Sequence, residues 1–494
     1  MNSAPHSRIA LKPIVNRQIL LFVLLACWFG TALAHMGIDT SEFQARRQSV
    51  MNAVSDGIVL LHSFSGPKSW SDSGFQQDSN FYYLTGLENL HDAILAVDGT
   101  TKETWLFVMA PTERQQRRFS GSVLNGWDSV YLTPGRETEQ LLGIDHIVAW
   151  DGFSDFIETR RKTNPKIALY LDQSGEGKMV ADVSNPPGLA AIENPYLLWP
   201  AAIKAKWPDA NIVDATPILQ QIRAVKSPAE IALMKKAAGY TDSGFRAAMA
   251  AIAPGRTSRE IEGAAIEGAL RAGADGISMW PEVKTGLVSG RTVFQKFYDY
   301  HGLNRTVQTG ETVLMDLGFN YERYKGDVGR TVPVSGHFTK EQREVIDLMN
   351  GAYQSGLHAL HDGVSSDEII RTCTRYVEDH RPGLHSELAR RAAVELLKPG
   401  SWADMYTHGL EMVEIYPPPK ELHAGNTVAF GPNFNVDGQG FYEEDVVLIT
   451  ADGYQLINPA LPYSAADIEK MMARLKRSQK SEAHVSANTS GESL

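Results

Sequence analysis

Cysteine is almost missing from this chain: two occur in 494 residues, Cys27 and Cys373. Cys27 lies in an N-terminal stretch that reads as removable, which leaves one thiol and no possible intrachain disulfide. Cys373 is expected to be buried and inert. Dense Lys/Arg runs are absent outside the ends, and a formal net charge of −11 argues against a nucleic-acid partner. The same acidic balance suits a soluble protein more than one held on an anionic membrane surface. Nucleophile and phosphate motifs are lacking too. There is no Gly-x-Ser-x-Gly elbow. Around Gly177 and Lys178 a phosphate loop meets Asp172 in place of its first glycine and Met179 in place of Ser or Thr. Metal chemistry, drawing on the carboxylates and 14 histidines, is the candidate that survives.

What is present begins with an export pattern. Arg8, Lys12 and Arg17 form a basic region, residues 19–30 an apolar one, and Ala32-Leu33-Ala34 a small-residue cleavage motif. Residues 1–34 therefore read as a signal peptide, and the mature protein as exported, periplasmic or secreted. The apolar run falls short of the roughly 20 residues that span a bilayer, so no stable membrane span is expected after cleavage. The run continues past Cys27, which favours plain cleavage over lipoprotein processing.

The rest has the composition of a globular protein, 43% apolar and 21% charged, with length for two domains. Residues 41–54 read as a helix and 57–62 as a buried strand. Further strands are expected at 93–97, 104–109, 145–150 and 166–171, with a loop at 185–188. Strands alternating with helical pieces predict an α/β domain over 35–220. From Ser227 the texture turns helical: Ser-Pro-Ala-Glu at 227–230 is a helix start, and helices follow at 258–272, 340–359, 366–379 and 388–397. Strands return at 412–416, 427–430 and 444–450. These elements predict an α+β second domain over 221–475, ahead of a polar tail, 476–494, expected to be disordered.

One stretch organises this second half, TVLMDLGFNYERYKGDVGRTVPVSG at 312–336. It carries Asp316 and Asp327, eleven positions apart, in β-type runs joined through Gly318, Asn320 and Gly326. A hairpin brings two such carboxylates close. In an apolar sheet they repel unless one is protonated or a cation lies between them. A solvated hairpin with two surface aspartates fits the spacing equally well. His301, His408 and Glu444 are further candidate ligands or proton carriers. Taken alone, each reads more often as a structural or surface residue than as a ligand.

Together the motifs resemble the Xaa-Pro aminopeptidase and prolidase group of pita-bread metallopeptidases over roughly residues 45–460. QQDSNFYYLTG (76–86) is similar to a signature of the N-terminal domain, with Gln76 in place of Arg. IRAVKSPAEIALM (222–234) matches the helix that opens the second domain. LMDLG (314–318) and YKGDVGRTVP (324–333) match a two-aspartate metal hairpin, and EDVVLITADG (444–453) the closing strand with its bridging Glu. The resemblance implies a pita-bread second domain and a divalent metal, Mn with Co or Zn as alternatives, as one or two ions. It implies Asp316 as a ligand of one metal, and Asp327 and Glu444 as bridges. His301 and His408 would face the substrate, a peptide with proline second. A homo-oligomer is expected on the same ground.

The departures cluster on the chemistry. The family's His-Gly-Leu-x-His-x-x-Gly stretch reads HGLEMVEI at 408–415, which puts Met412 at the metal-binding His. Pro419 stands at a further His, Gly431 at a ligand Glu, and Tyr442 at an Arg. Glu411 and Glu414, beside the lost ligand, are candidates to replace it. Three functions remain in view. The first is an exported metalloaminopeptidase with one metal or a rebuilt second site. The others are a degenerate pseudoenzyme that binds peptide or protein, and a metal-independent creatinase-like hydrolase.

Overall fold

A computed structural model describes residues 34–35, 37–64, 76–118, 129–173, 195–286, 289, 304–402, 405–415 and 418–490. The signal segment up to residue 33, the loop expected at 185–188, and His301 lie outside the described residues.

The first half is built on six strands: β1 (Gly57–His62), β2 (Ile94–Asp98), β3 (Glu103–Val108), β4 (His146–Ala149), β5 (Ala168–Leu171) and β6 (Asn211–Asp214). They form one mixed sheet in the order β4-β3-β2-β1-β5-β6. The β1–β2 and β2–β3 pairs are antiparallel, the others parallel. Strands β1 and β2 are apolar on both faces because helices cover both, as in layered α/β domains. Helix α1 (Thr40–Ala53) packs Phe43, Val50 and Met51 on one side. Helix α2 (Ser79–Thr85) is the QQDSNFYYLTG motif itself. Asp78 caps it by accepting from the Phe81 N–H at 2.7 Å, and Gly86 ends it at φ 74°.

Helix α3 (Thr216–Ala224) leads into α4 (Pro228–Ala251), whose start is the expected capping box between Ser227 and Glu230. Helix α5 (Ser258–Ala272) follows, then an antiparallel sheet. Its strands are β7 (Glu282–Thr285), β8 (Thr312–Leu317), β9 (Val328–Pro333), β10 (Thr427–Phe430), β11 (Asn433–Val436), β12 (Gln439–Thr450) and β13 (Gly453–Leu456). The order is β7-β8-β9-β12-β10, with β11 and β13 also paired to the long β12. Helices α6 (Lys340–His358), α7 (Ser366–His380) and α8 (Glu387–Leu396) share the core with one face of this sheet.

The alternation along the strands is strict. Val313, Met315 and Leu317 of β8, Val328 and Val332 of β9, and Val447 and Ile449 of β12 point into that helix-covered core. Val446 and Leu448 of β12 join a different cluster, with Phe81, Tyr82 and Leu84 from the first half. The other face of the sheet therefore looks toward the N-terminal half.

Two expectations need correction. Residues 412–415 are not a strand. The chain there turns back on itself, with the Glu414 N–H donating to the Thr407 carbonyl at 2.9 Å. The polar tail expected to be disordered from 476 is helical as far as Ser490, as the end of α9 (Ala465–Ser490). Its start is anchored by Ile468 and Met472 in the core. A helix once nucleated gains a bond per residue through polar residues of fair propensity.

Candidate metal centre

The sheet face turned from α6–α8 carries a transverse row of polar positions. Glu282 of β7 stands opposite Asp316 of β8, Asp316 opposite Gly329 of β9, and Gly329 opposite Glu444 of β12. Gly329 leaves the room this row needs, since a Cβ there would lie 2.1 Å from the Tyr442 ring. Tyr442 shares the face with Glu444, two residues on, and its hydroxyl donates to Glu444 Oε2 at 2.6 Å.

Asp327 precedes β9 after an extension of the hairpin. Short strands at Phe319–Tyr321 and Tyr324–Lys325 pair across a tight turn, where Glu322 and Arg323 adopt φ 47° and 72°. Gly318 and Gly326 let the chains pass closely, as a Cβ on Gly318 would come 2.5 Å from the Gly326 carbonyl oxygen. The two aspartates are thus not directly opposed. Asp316 faces Gly329, and Asp327 is offset by two residues, on the same face. Their carboxyls are still close enough to act on each other, and Asp327 is also close to Glu444.

His408 arrives from the 405–415 loop, fully buried. Its N–H donates to the Thr427 carbonyl at 2.8 Å, and its carbonyl accepts from Thr427 Oγ1 at 2.6 Å. The ring stands with Nε2 3.5 Å from Asp327 Oδ2. Ligand atoms of Asp327, His408 and Glu444 all lie within 4.8 Å of one another. Both ring nitrogens of His408, Asp316 Oδ1, Asp327 Oδ1 and Glu444 Oε1 are buried without a hydrogen-bond partner. Such atoms are costly to bury unless something binds them.

Electrostatics point the same way. Burial pushes Asp316 well above the usual carboxylate range, helped by Glu444 and Glu282 and opposed by Lys284. Burial, then Asp316 and Glu444, push Asp327 up. Burial also raises Glu444, although the Tyr442 hydroxyl and Asp327 work against it. Burial pushes the His408 imidazole down to about 3, so at neutral pH the ring is uncharged and can offer a lone pair. The donor set, one imidazole nitrogen and two or three carboxylate oxygens, fits one divalent ion.

Among the described residues, a second ion of the family's kind is not fitted. Met412 offers a weak thioether, and Gly431 offers nothing. A Cβ on Gly431 would sit 1.7 Å from the Glu443 carbonyl oxygen, so the backbones have closed over the space a ligand Glu would leave through. Glu411 and Glu414 do not replace the lost groups. Arg223 Nη1 donates to Glu411 Oε1 at 2.8 Å, while Arg223 Nη2 and Lys226 Nζ donate to the two oxygens of Glu414 at 3.0 and 2.6 Å. The suggestion that either carboxylate completes a second site is corrected by these pairs. Two cations already hold them.

Sequence reasoning misses Glu282 and Lys284. The signal lies in the strand itself: EVKT puts an acid and a base at i and i+2 on a strand buried on both faces. It also misses the Arg223–Glu414 pairing, which spans 191 residues of sequence.

Fold and site together define a two-domain protein with a buried cluster of candidate metal ligands. Comparison makes the class specific. Residues 232–451 match the model of metallopeptidase family M24, and residues 43–170 the aminopeptidase P N-terminal domain. The chain belongs to this family. It is 26% identical over 468 residues to the Xaa-Pro aminopeptidase of Haemophilus influenzae, covering 89% of this chain and 99% of that protein. The Escherichia coli Xaa-Pro aminopeptidase is 24% identical over 471 residues, with the same coverage. A putative aminopeptidase P from Bacillus anthracis superposes with a TM-score of 0.71 at 19% identity, covering 88% of this chain and 98% of that one. The pita-bread second domain behind an aminopeptidase P-type first domain, expected from the resemblance, is borne out.

Proposed function

We propose that the protein is an exported Xaa-Pro aminopeptidase-like hydrolase working with a single divalent ion. Asp327, His408 and Glu444 would hold the ion, with Asp316 beside them. The observation that carries this reading is the cluster of buried, unpartnered oxygens and imidazole nitrogens on these four residues. The resemblance gives His408 a substrate-facing role. Its neutral ring against Asp327 favours ligation instead. Manganese is our choice for an oxygen-rich donor set, with Co or Zn as substitutes.

When bound, the ion would supply a Lewis acid that activates water and polarises the scissile carbonyl. The chain's own groups do the rest. Tyr442 fixes the orientation of Glu444 through its hydroxyl, leaving Oε1 toward the site. Asp316 Oδ1, buried and unpartnered, is the atom placed to take the proton of the attacking water. The substrate class, peptides with proline second, is carried over from the names of the relatives. Export to the periplasm or medium rests on the basic–apolar–small pattern of residues 1–34, and a homo-oligomer on the resemblance alone. Among the described residues no helix is long and apolar enough to cross a membrane.

A second reading has a specific observation behind it. The closure around Gly431 favours a degenerate relative that binds peptides without cutting them. Incubating the mature protein with Mn and short peptides bearing proline second separates the two. Release of the N-terminal residue, abolished by chelator and reduced about 10²–10⁴-fold in Asp327→Ala, is expected. Bound metal with no release from any such peptide would leave the binding protein. Turnover that survives chelation would favour the metal-independent hydrolase.

A further inference from the structure

The carboxylate row extends one strand beyond the residues that would hold the ion, and there it meets a buried cation. Glu282 stands opposite Asp316 across the β7–β8 ladder, and Lys284 is two residues along β7, so both side chains lie on the site face. They are 2% and 4% exposed. Lys284 Nζ lies 2.7 Å from Glu282 Oε2, and Glu282 Oε1 has no hydrogen-bond partner. A lysine ammonium is strongly hydrated, and burying it is tolerated only where negative charge compensates. Here the compensation is excessive. Glu282, Asp316, Asp327 and Glu444 form one continuous acidic row, and one divalent ion does not neutralise four carboxylates.

We propose that Lys284 is a built-in cation supplying the charge that a second metal would otherwise bring, so that the centre is mononuclear by construction. The inference rests on the single-ion reading above and adds a residue that the family's ligand pattern does not contain. Two observations converge on it. The ligand positions of a second ion are Met412 and Gly431, and the latter is sealed by the Glu443 backbone. The ammonium reaches the row through Glu282, directly across from Asp316. A covalently fixed cation cannot be lost to chelators or exchanged, and it repels a second dication from the Asp316 side.

Sign follows from charge. Removing Lys284 takes a positive charge away from the acidic row and strengthens cation binding, while removing the Glu282 charge takes a negative one away and weakens it. The experiment is calorimetric titration of metal-free full-length mature protein with MnCl₂, reading stoichiometry and Kd for wild type, Lys284→Met, Lys284→Arg and Glu282→Gln. We expect one site in wild type, a Kd at least 10-fold lower or a second site in Lys284→Met, wild-type behaviour in Lys284→Arg, and a weaker site in Glu282→Gln. Should Lys284→Met fail to fold, the opposite shift in Glu282→Gln against an unchanged Lys284→Arg still decides. One site with Kd unchanged within about twofold in Lys284→Met and Glu282→Gln would overturn the role of Lys284 and leave the single-ion hydrolase standing. No site in wild type but one in Lys284→Met would sink the hydrolase reading and keep Lys284 as the resident cation. Two sites in wild type would overturn the inference outright.

Discussion

Gly431 decides more of the chemistry than any residue that remains. The substitution of a ligand Glu is not an open vacancy waiting for a side chain, because β10 and β12 approach so closely that a Cβ would lie 1.7 Å from a backbone oxygen. Restoring Glu at this position is therefore expected to harm the fold without restoring a ligand. Gly431→Glu should lose at least about 1–3 kcal/mol, the usual cost of overpacking, read as a lower denaturant midpoint with no gain in bound metal. A stable Gly431→Glu that binds an extra ion would refute the closure. Which residues are missing was plain in the sequence, since Met412 and Gly431 stand in otherwise matching motifs. That the gap had closed was not, because closure is a property of two backbones 12 or more residues apart in the chain and in contact only in the sheet. The partnership of His408 with Asp327 was hidden for the same reason.

Between elements, the loop that delivers His408 is held by backbone bonds to β10 at Tyr406 and His408 and, beyond them, by charges. Arg223, at the end of α3, donates to Glu411, Glu414 and Asn80. Asn80 in turn donates to Asp172 at 2.7 Å, so the conspicuous motif of the first half serves to brace the second. Cutting one partner out of a buried ionic cluster leaves the others uncompensated. Arg223→Met should cost about 3–5 kcal/mol in chemical denaturation and weaken metal binding through the displaced loop. A loss below 1 kcal/mol would show that the cluster contributes little. The cluster also gives a pH dependence. Burial raises the Glu414 carboxyl, but Lys226 and Arg223 outweigh it and hold the group below its ordinary value. A lowered folded pKa means stability present above the unfolded value and lost as pH falls through the folded one. Stability should drop below roughly pH 4.3, and the drop should be smaller in Glu414→Gln. The loop was unreadable beforehand because apolar 412–416 resembles a strand, while the pairs that bend it lie some 190 residues away.

At the scale of the molecule, both halves were legible because short apolar runs and helix-start signals mark their elements. Gly57–His62, Thr427–Phe430 and the Ser227 capping box form where pattern and propensity place them. What binds the halves together was not legible. Phe81 and Tyr82 from one side and Tyr324, Leu410 and Val446 from the other share a single buried cluster, with no periodicity linking them in the chain. That shared core sets the sheet face with Asp316 and Glu444 toward the first half, where the site is shielded from water and its carboxyls are driven up. Such a place must hold a cation or a proton for every carboxylate it buries. Metal analysis of the protein after saturation with Mn and desalting asks which. The account predicts one ion per chain, lost in both Asp327→Ala and His408→Ala. No bound ion, two ions per chain, or an ion that persists in His408→Ala would contradict it.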